Sequence, residues 1–314
     1  MRIALVGAGA FGIKHLDALT RIDGVEIAAV ASRRLAQARD VAARYGADVA
    51  TTELDDVLAM SEVDAVILCS PTQLHAEQTI AVLRAGKHVQ VEIPLADRWR
   101  DAQRVAEVAR ETRLTCMVGH TRRFNPSHQW IHQRVLAGGL SLQHMDVQTF
   151  FFRRTNINAL GQPRSWVDNL LWHHAAHTVD LFAYQCGERI VEAHVMAGPP
   201  HHELGIPMDL SIQLRSASDQ LCTLALSFNN DGPLGTFFRY ICDNGTFVAR
   251  YDDLVTGNGE PVDVTRVAVS MDGIELQDRE FVSAITEGRA PNSSIESVLD
   301  CYRILGQLQN QLGP

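Results

Sequence analysis

A glycine-rich turn near the start of the chain separates a strand pattern from a helix pattern. The apolar residues 3–6 lead directly into residues 7–12, which read GAGAFG, and a helical period follows through Leu16 and Leu19. In such a turn the first glycine permits a tight bend, the second admits a pyrophosphate to the backbone, and the third lets the helix pack on the strand. The helix N-terminus attracts the phosphates. The pattern predicts a dinucleotide site, against the alternative of a glycine turn without a ligand. Its predicted residues are Gly7, Gly9, Ala10, Phe11 and Gly12.

The residues after the second predicted strand, 26–30, indicate which dinucleotide binds. An NAD-binding domain carries an acidic residue about 20 positions beyond the last glycine, where it bonds the ribose hydroxyls. This chain has Ser32 there, followed by Arg33 and Arg34. A guanidinium binds phosphate through paired hydrogen bonds, whereas a carboxylate would repel a 2′-phosphate. We therefore predict NADP rather than NAD. The alternative is that both arginines are solvated residues at a helix start.

Strand and helix patterns then alternate as far as residue 118. Helices are predicted over 35–45, 73–85 and 99–111, and strands over 64–69, 88–92 and 115–118. This alternation indicates an α/β domain with a doubly wound parallel sheet, in which ligands lie at the carboxyl ends of the strands. Further cofactor-binding candidates just beyond those ends are Ser70, Pro71, Thr72, His75, Glu92, Ile93 and Arg122.

The chain is long enough for two domains. Its 314 residues exceed what one hydrophobic core usually holds. After residue 121 the pattern changes, because one predicted helix over 169–186 is followed by a run of strand candidates from 192 to 251. We predict a Rossmann domain at 1–121 and an α+β domain at 122–314.

Charge and composition exclude several classes of partner. The formal net charge of −9 argues against nucleic-acid binding. No run of about 18 apolar residues could span a membrane, and the first residues lack the pattern of a signal peptide. The six cysteines are scattered without a CxxC motif, which favours reduced thiols. The sequence predicts a cytoplasmic protein.

The segment 171–180 carries three histidines and an aspartate. On an α-helix His173 and His177 share one face, Asp180 lies one turn further, and His174 points about 100° away. Helix faces packed into a core are usually apolar, so we predict that this face is a catalytic wall. The alternatives are hydrogen-bonded core histidines and a zinc site. The zinc pattern needs a glutamate after the first histidine, where this chain has His174, so no metal is predicted.

Several segments resemble the Gfo/Idh/MocA oxidoreductase family. They are residues 7–12, 64–72, 74–75, 85–89, 91–95 and 122–126. The resemblance runs over essentially the whole chain and is densest in these first 126 residues. It implies a Rossmann domain followed by a domain with an open, mainly antiparallel sheet. It also implies a homodimer or homotetramer formed through that sheet.

Two positions depart from the family pattern. The family typically has Glu-Lys-Pro, whose lysine bonds the substrate hydroxyl and assists proton transfer. This chain has Ile93 in that place, and isoleucine can neither donate nor accept a proton. The family also typically has an aspartate one turn before its catalytic histidine. That histidine matches His177, and His173 takes the place of the aspartate. Because both missing groups act on sugar-like polyols, a sugar substrate is not expected.

A second set of segments is similar to one branch of this family. They are residues 120–128, 150–154, 163–166, 171–180, 228–235 and 239–246. The similarity implies NADP-dependent oxidation of a small dicarboxylate aldehyde, in its cyclic hemiacetal form, to a lactone.

A dianionic substrate of this kind needs cationic partners. The candidates are Arg122, Arg123, Arg153, Arg154, Arg164 and Arg239. A guanidinium binds a carboxylate through two parallel hydrogen bonds. Arg122 follows the last Rossmann strand, and only one of Arg153 and Arg154 should face a pocket, because successive strand residues face opposite ways. The predicted substrate-binding residues are Arg122, Arg153, Arg164, His173 and His177. For each arginine the alternative is an ordinary ion pair.

Proton transfer has to use a histidine, because residue 93 is isoleucine. A neutral imidazole with an ordinary pKa of about 6.5 suits this task. The predicted catalytic residues are His173, His177 and Glu92. Either histidine is a candidate for the base, and Glu92 is predicted to support the nicotinamide pocket. Two other functions remain open: a dehydrogenase for another small anionic aldehyde or lactol, and an NADP-binding sensor without redox activity.

Overall fold

The computed structural model describes residues 1–157, 161, 163–164, 167–264 and 273–313. Ser165 and Trp166, which belong to the family-like segment 163–166, lie outside the described residues. The chain forms two compact units. The first comprises Met1–His120 with Ile274–Leu299, and the second comprises Thr121–Gly273 with Asp300–Pro314.

The first unit is built from alternating strands and helices. The strands are β1 (Arg2–Val6), β2 (Glu26–Ala31), β3 (Val49–Thr51), β4 (Ala65–Leu68), β5 (His88–Val91) and β6 (Cys116–Val118). The helices are α1 (Ala10–Leu19), α2 (Leu35–Tyr45), α3 (Leu54–Ala59), α4 (His75–Arg84) and α5 (Trp99–Thr112). The short elements β3 and α3 were not predicted, because three to six residues give too little period to recognise.

The six strands form one parallel sheet in the order β3-β2-β1-β4-β5-β6. The order reverses between β1 and β4, and ligands of such sheets bind beyond the carboxyl ends of the strands at this point. Strand β4 is buried along its whole length, as a strand with helices on both faces must be. The predicted doubly wound α/β fold is confirmed.

The second unit contains a larger, mixed sheet. Its first elements are α6 (Pro126–Leu136), β7 (Leu142–Phe150), a π-helical segment (Leu170–Ala175) and α7 (Ala176–Cys186). Its remaining strands are β8 (Ile190–Ala197), β9 (Asp209–Ser216), β10 (Leu221–Ser227), β11 (Gly235–Cys242), β12 (Gly245–Arg250) and β13 (Asp253–Thr256). The strand order is β13-β12-β11-β7-β10-β9-β8. Neighbouring strands are antiparallel except for the parallel pair β7 and β10, so the predicted mainly antiparallel sheet is confirmed.

One face of this sheet is buried and the other is partly open. Along β9 every second residue is buried, from Leu210 to Ser216, while Ser211 and Gln213 on the other face are exposed. Helices α6 and α7 contact the strands. Such alternation is typical of an antiparallel sheet with a single covered face.

Two helices end the chain, α8 (Gly273–Glu287) and α9 (Ile295–Leu312). Residues 274–299 belong to the first unit, although the sequence had placed them in the second domain. The physical reason lies in buried polar contacts: Asp278 on α8 accepts hydrogen bonds from His15 on α1 and from Gln90 on β5. Within the described residues, no helix has both the length and the apolar character needed to cross a membrane.

Candidate functional site

The glycine turn of the first unit has the shape that a pyrophosphate needs. Gly7 has φ of +107°, and a Cβ atom there would collide with the backbone of Cys69, so only glycine fits. Among the described residues, nothing lies within 4 Å of the Cβ position of Gly9, which leaves open space beside the turn. Helix α1 starts at Ala10, and no side chain in the described part of the protein caps its first N–H groups. Ala10 and Phe11 are exposed at the start of this helix. The glycine turn and the first residues of α1 therefore fit a dinucleotide.

A polar cluster follows β2. Gln37 accepts a hydrogen bond from the Ser32 hydroxyl at 3.1 Å and from the Arg34 guanidinium at 3.2 Å. The Gln37 amide in turn donates to the carbonyl of Ala8 in the glycine turn, at 2.6 Å. Arg33 is exposed beside this cluster. Gln37, which no sequence pattern indicated, joins the residues after β2 to the turn after β1.

The residues after β4 brace the loops at this end of the sheet. The Ser70 hydroxyl donates to Gln78. Pro71 is half-buried, and Thr72 is buried at the start of a short 3-10 turn, Thr72–Leu74. His75 is 1% exposed, and its ring nitrogens lie 2.8 Å from the Pro94 carbonyl and 2.7 Å from the Ser70 carbonyl. With both nitrogens engaged by the backbone, His75 holds two loops together, whereas the sequence had suggested contact with the cofactor.

Glu92 and Ile93 come directly after β5. Glu92 lies 3.2 Å from Nε2 of His15 and accepts from the Gln277 amide at 3.3 Å. These contacts lower the pKa of Glu92, chiefly through His15, against the effect of burial. Ile93 is half-buried.

In the second unit, the predicted regular helix over 169–186 begins differently. Leu170–Ala175 is π-helical, and the α-helix starts only at Ala176. The Asn169 side chain accepts hydrogen bonds from the amides of Leu171 and Trp172, and so caps the wide first turn. Short π-helical segments are rare and occur frequently at functional sites.

Histidines provide the open face of this helix. From Leu170 to Phe182, every residue is buried except His173, His174 and His177, which are half-buried. A helix packed on all other sides therefore exposes three imidazoles. The prediction that His174 points away from His173 is wrong. In the wide π-helical turn, His174 Nε2 lies 3.0 Å and His173 Nδ1 3.8 Å from the same carboxylate, that of Asp168.

Asp168 is the centre of a charged cluster, the Asp168 cluster, formed with Arg153, Arg164 and His174. The carboxylate is 5% exposed, forms an ion pair with Arg153, and lies 3.1 Å from Nη1 of Arg164. Burial lowers the pKa of Arg153 to about 10, with a further contribution from Arg164. Burial and the two guanidinium charges lower the pKa of His174 to about 3, so its ring is neutral and donates to Asp168.

The hydrogen bonds of His173 indicate its tautomer. The backbone amide of Asn169 donates to Nδ1 across 3.1 Å. Because a peptide N–H carries a fixed proton, Nδ1 must offer its lone pair, and we assign the proton of the neutral ring to Nε2. The Asn169 carbonyl, 3.3 Å from Nδ1, is then not a partner of that atom. In this form His173 is a donor through Nε2.

Arg122 is a desolvated cation. Its guanidinium lies over the rings of Tyr251 and Phe238, at 5.1 and 5.9 Å, and its Nε has no hydrogen-bond partner among the described residues. Burial lowers the pKa of Arg122, an effect that Tyr251 and Asp252 oppose only in part. A guanidinium in this state gains stability when an anion binds it.

The other candidate arginines have different roles. Arg123 is 4% exposed and forms a two-pronged ion pair with Asp180, at 2.8 and 2.6 Å. Asp180 thus anchors α7 to Arg123, a contact that the sequence had left open. Arg154 is exposed and donates to backbone carbonyls, so Arg153 is the member of that pair at Asp168. Arg239 is exposed on β11.

No sequence pattern indicated Asp168 or the role of His174. Asp168 lies in a loop before the helix, where no hydrophobic periodicity predicts the position of a side chain. A weak signal was available, because Asp168 and Asn169 immediately precede an apolar helix start, where such residues often cap.

Both units match known families. Residues 1–120 match the family described as "Oxidoreductase family, NAD-binding Rossmann fold", and residues 126–268 match "Bacterial oxidoreductases, C-terminal". The chain is 69% identical to 4-carboxy-2-hydroxymuconate-6-semialdehyde dehydrogenase of Sphingobium sp. strain SYK-6, over 99% of each chain. It is 27% identical to myo-inositol 2-dehydrogenase of Thermotoga maritima, over 61% of this chain and 57% of that protein. The solved structure of an NAD-binding oxidoreductase from Klebsiella pneumoniae superposes with a TM-score of 0.85 at 20% identity, over 99% of this chain and 96% of that one.

Proposed function

The chain belongs to the Gfo/Idh/MocA oxidoreductase family and is a dehydrogenase; we propose that it oxidises 4-carboxy-2-hydroxymuconate-6-semialdehyde with NADP. The substrate reacts as its cyclic hemiacetal, and the product is the lactone 2-pyrone-4,6-dicarboxylate. This is a step of protocatechuate degradation by 4,5-cleavage. The observation that carries the proposal is the open face of three histidines beside the Asp168 cluster. The alternative of a redox-inactive sensor is set aside, because the family and the relative at 69% identity are dehydrogenases.

The preference for NADP rests on the cluster after β2. Gln37 holds the Ser32 hydroxyl and the Arg34 guanidinium together, and Arg33 is exposed beside them. A 2′-phosphate accepts hydrogen bonds from groups of this kind.

The charges of the second unit suit a substrate with two carboxylates. Among the described residues, the Asp168 cluster places two guanidinium groups beside one carboxylate, an arrangement that suits a substrate carboxylate as a further anion. Arg122 provides a second positive charge, weakly compensated by its own surroundings. These guanidinium groups favour a dianion over a neutral sugar, because a desolvated cation is stabilised by a counter-ion.

The mechanism assigns different roles to His173 and His177. When bound, the nicotinamide supplies a hydride acceptor at C4. His177 accepts the proton of the hemiacetal O–H as the C–H electron pair leaves as hydride, and the carbon–oxygen bond becomes the lactone carbonyl. His173 donates from Nε2 to a substrate oxygen, because its Nδ1 lone pair is used by the Asn169 amide. Arg153 and Arg164 bind one carboxylate and Arg122 the other, while Glu92 supports the nicotinamide pocket.

Ile93 limits the range of substrates. Its side chain cannot relay a proton, so a polyol that depends on a lysine at this position is not oxidised. The proposed assembly is a homodimer or homotetramer formed through the open face of the second sheet. On that face Leu221 is 46% exposed, so apolar surface is available for such a contact.

A substrate panel tests the proposal. NADPH formation would be followed with the semialdehyde, with an analogue lacking the 4-carboxylate, and with myo-inositol. We expect a kcat/KM at least about tenfold lower for the monocarboxylate, because one guanidinium then lacks its anion, and no oxidation of inositol. Equal rates for both aldehydes would point to another small anionic aldehyde as the substrate, and oxidation of inositol would refute the proposal.

A further inference from the structure

Three ionisable groups of the first unit, two of them completely buried, are joined by hydrogen bonds. His15 and Asp278 are completely buried, and His15 Nδ1 lies 2.8 and 3.0 Å from the two oxygens of Asp278. On its other side, His15 Nε2 lies 3.2 Å from Oε1 of Glu92. Both acceptors are carboxylates, so both ring nitrogens have to donate, and only the imidazolium can do this. The ion triad Asp278–His15–Glu92 therefore has a net charge of −1.

The triad joins three parts of the fold that are distant in sequence. His15 is on α1, the helix whose N-terminus forms the glycine turn, Glu92 follows β5, and Asp278 is on the returning helix α8. The backbone near Glu92 is adapted to its side chain, because a Cβ atom on Gly119 would collide with Oε1 of Glu92. An alanine at 119 would force this carboxylate to move.

Several further groups face the triad from the elements packed around it. Gln90 on β5 donates to Asp278 at 2.7 Å, and Gln277 on α8 donates to Glu92 at 3.3 Å. The Cys69 thiol after β4 bonds His15, and His75 on α4 acts on Glu92 by its charge. Burial lowers the pKa of His15, but Asp278 and Cys69 together raise it well above its usual value. Burial raises the pKa of the Cys69 thiol and that of Asp278, the latter against the effects of His15 and Gln90. The hydrogen bonds of both ring nitrogens thus place one cation between two carboxylates.

We propose that His15 is a positioning residue that keeps Glu92 ionised at the cofactor end of the sheet, and that this negative charge makes the protein bind oxidised NADP more tightly than NADPH. The oxidised nicotinamide ring is cationic and the reduced ring is neutral, so a fixed anion near the ring stabilises the oxidised form alone. The inference rests on the proposed function, in which Glu92 supports the nicotinamide pocket.

Loss of His15 has a definite consequence. With glutamine at position 15, Asp278 and Glu92 would remain as two buried carboxylates without a cation, and their charges could not both persist. The pair would then share a proton at neutral pH, so that Glu92 is ionised for only part of the time, and would release it at higher pH. The preference for the oxidised cofactor should therefore become pH-dependent in His15→Gln and stay flat in the parent protein.

Equilibrium binding of the two cofactor forms tests the proposal without turnover. The Kd values of NADP and NADPH would be measured by fluorescence or calorimetry from about pH 6 to about pH 9, where protonation of a buried glutamate is expected. The variants are Glu92→Gln, which removes the charge at nearly constant shape, and His15→Gln. His88→Gln is the matched control, because His88 is a half-buried histidine of the same unit that bonds the Thr115 amide.

The expected result is a change in the ratio of the two Kd values. In Glu92→Gln the ratio shifts toward NADPH by about tenfold at every pH. In His15→Gln the ratio shifts in the same direction at the lower pH, by no more than this factor, and recovers at the higher pH. His88→Gln leaves it unchanged. If His15 and Glu92 had only a structural role, their substitution would weaken the binding of NADP and of NADPH equally, and the ratio of the two Kd values would stay constant.

Two outcomes would overturn the inference. An unchanged ratio in Glu92→Gln would show that no charge of Glu92 acts on the ring, and this variant decides the matter even where His15→Gln does not fold. A ratio in His15→Gln that equals the parent's at every pH would show that His15 does not control the ionisation of Glu92. Failure of the parent protein to bind either cofactor form would instead refute the proposed function.

Discussion

The backbone amide of Asn169 donates a hydrogen bond to Nδ1 of His173 across 3.1 Å. This contact leaves the neutral ring of His173 with its proton on Nε2, as a donor. For the proposed reaction we therefore expect the general base to be His177, on the same open helix face.

Substitution of the two histidines should separate their roles. We expect His177→Ala to lower kcat by about 10²- to 10⁴-fold, because it removes the proton acceptor. His173→Asn, which can still donate from its side-chain amide, should mainly raise KM. The measurement is steady-state kinetics over a pH range, in which His177→Ala also loses the acidic limb of the kcat profile. Near-normal turnover in the double variant His173→Ala, His177→Ala would contradict the mechanism.

Cofactor choice should depend on the arginines after β2. Arg33→Ala is expected to raise the KM for NADP by about tenfold, because a phosphate–guanidinium contact is lost, and to leave the KM for NAD unchanged. Arg39→Ala is a suitable control, since Arg39 is an exposed arginine on α2, the helix that follows Arg33. An unchanged preference for NADP in Arg33→Ala would argue that this residue is only solvated.

Asp168 should partly neutralise the positive charge of Arg153 and Arg164 in its cluster. In Asp168→Asn, the guanidinium groups of Arg153 and Arg164 lose their shared counter-ion, and we expect a loss of about 1–3 kcal/mol in the free energy of unfolding. The same change leaves more positive charge for an anion, so the folded variant should bind the dicarboxylate product more tightly. Denaturant unfolding and calorimetric titration measure the two effects, with exposed Asp231→Asn as control. Weaker product binding at unchanged stability would count against this account of the cluster.

The second unit should lose stability as the pH falls. Burial and nearby arginines lower the pKa of His132 to about 4 and that of His174 to about 3. Between those values and about 6.5 the unfolded chain binds protons that the folded chain does not. The free energy of unfolding therefore decreases as the pH falls through this range, by up to about 1.4 kcal/mol per pH unit for each histidine.

A variant tests this dependence. His132→Phe retains a ring that can stack on Tyr184, 3.7 Å away in the parent, but cannot be protonated. The loss of unfolding free energy between about pH 7 and about pH 5 should be smaller in this variant than in the parent. The exposed His202→Gln should behave like the parent, and equal losses in all three proteins would exclude His132 as a cause.

Local patterns in the sequence predicted the parallel sheet and the glycine turn, because a strand period, a Gly-rich bend and a helix period all lie within residues 3–19. The π-helical turn was not predictable in this way, since it depends on the hydrogen bonds that the side chains of Asn169 and His173 form with backbone amides of the same turn. The ion triad could not be predicted from local sequence patterns either. His15 and Asp278 are 263 positions apart, and no residue near either one indicates that they meet.

The most direct measurement is the product balance of the proposed reaction. The protein would be incubated with 4-carboxy-2-hydroxymuconate-6-semialdehyde and NADP, with NADPH followed by absorbance and 2-pyrone-4,6-dicarboxylate by mass spectrometry. We predict equal molar amounts of NADPH and the pyrone. The central claim would be contradicted if no NADPH formed, or if NADPH formed together with an open-chain acid and no pyrone.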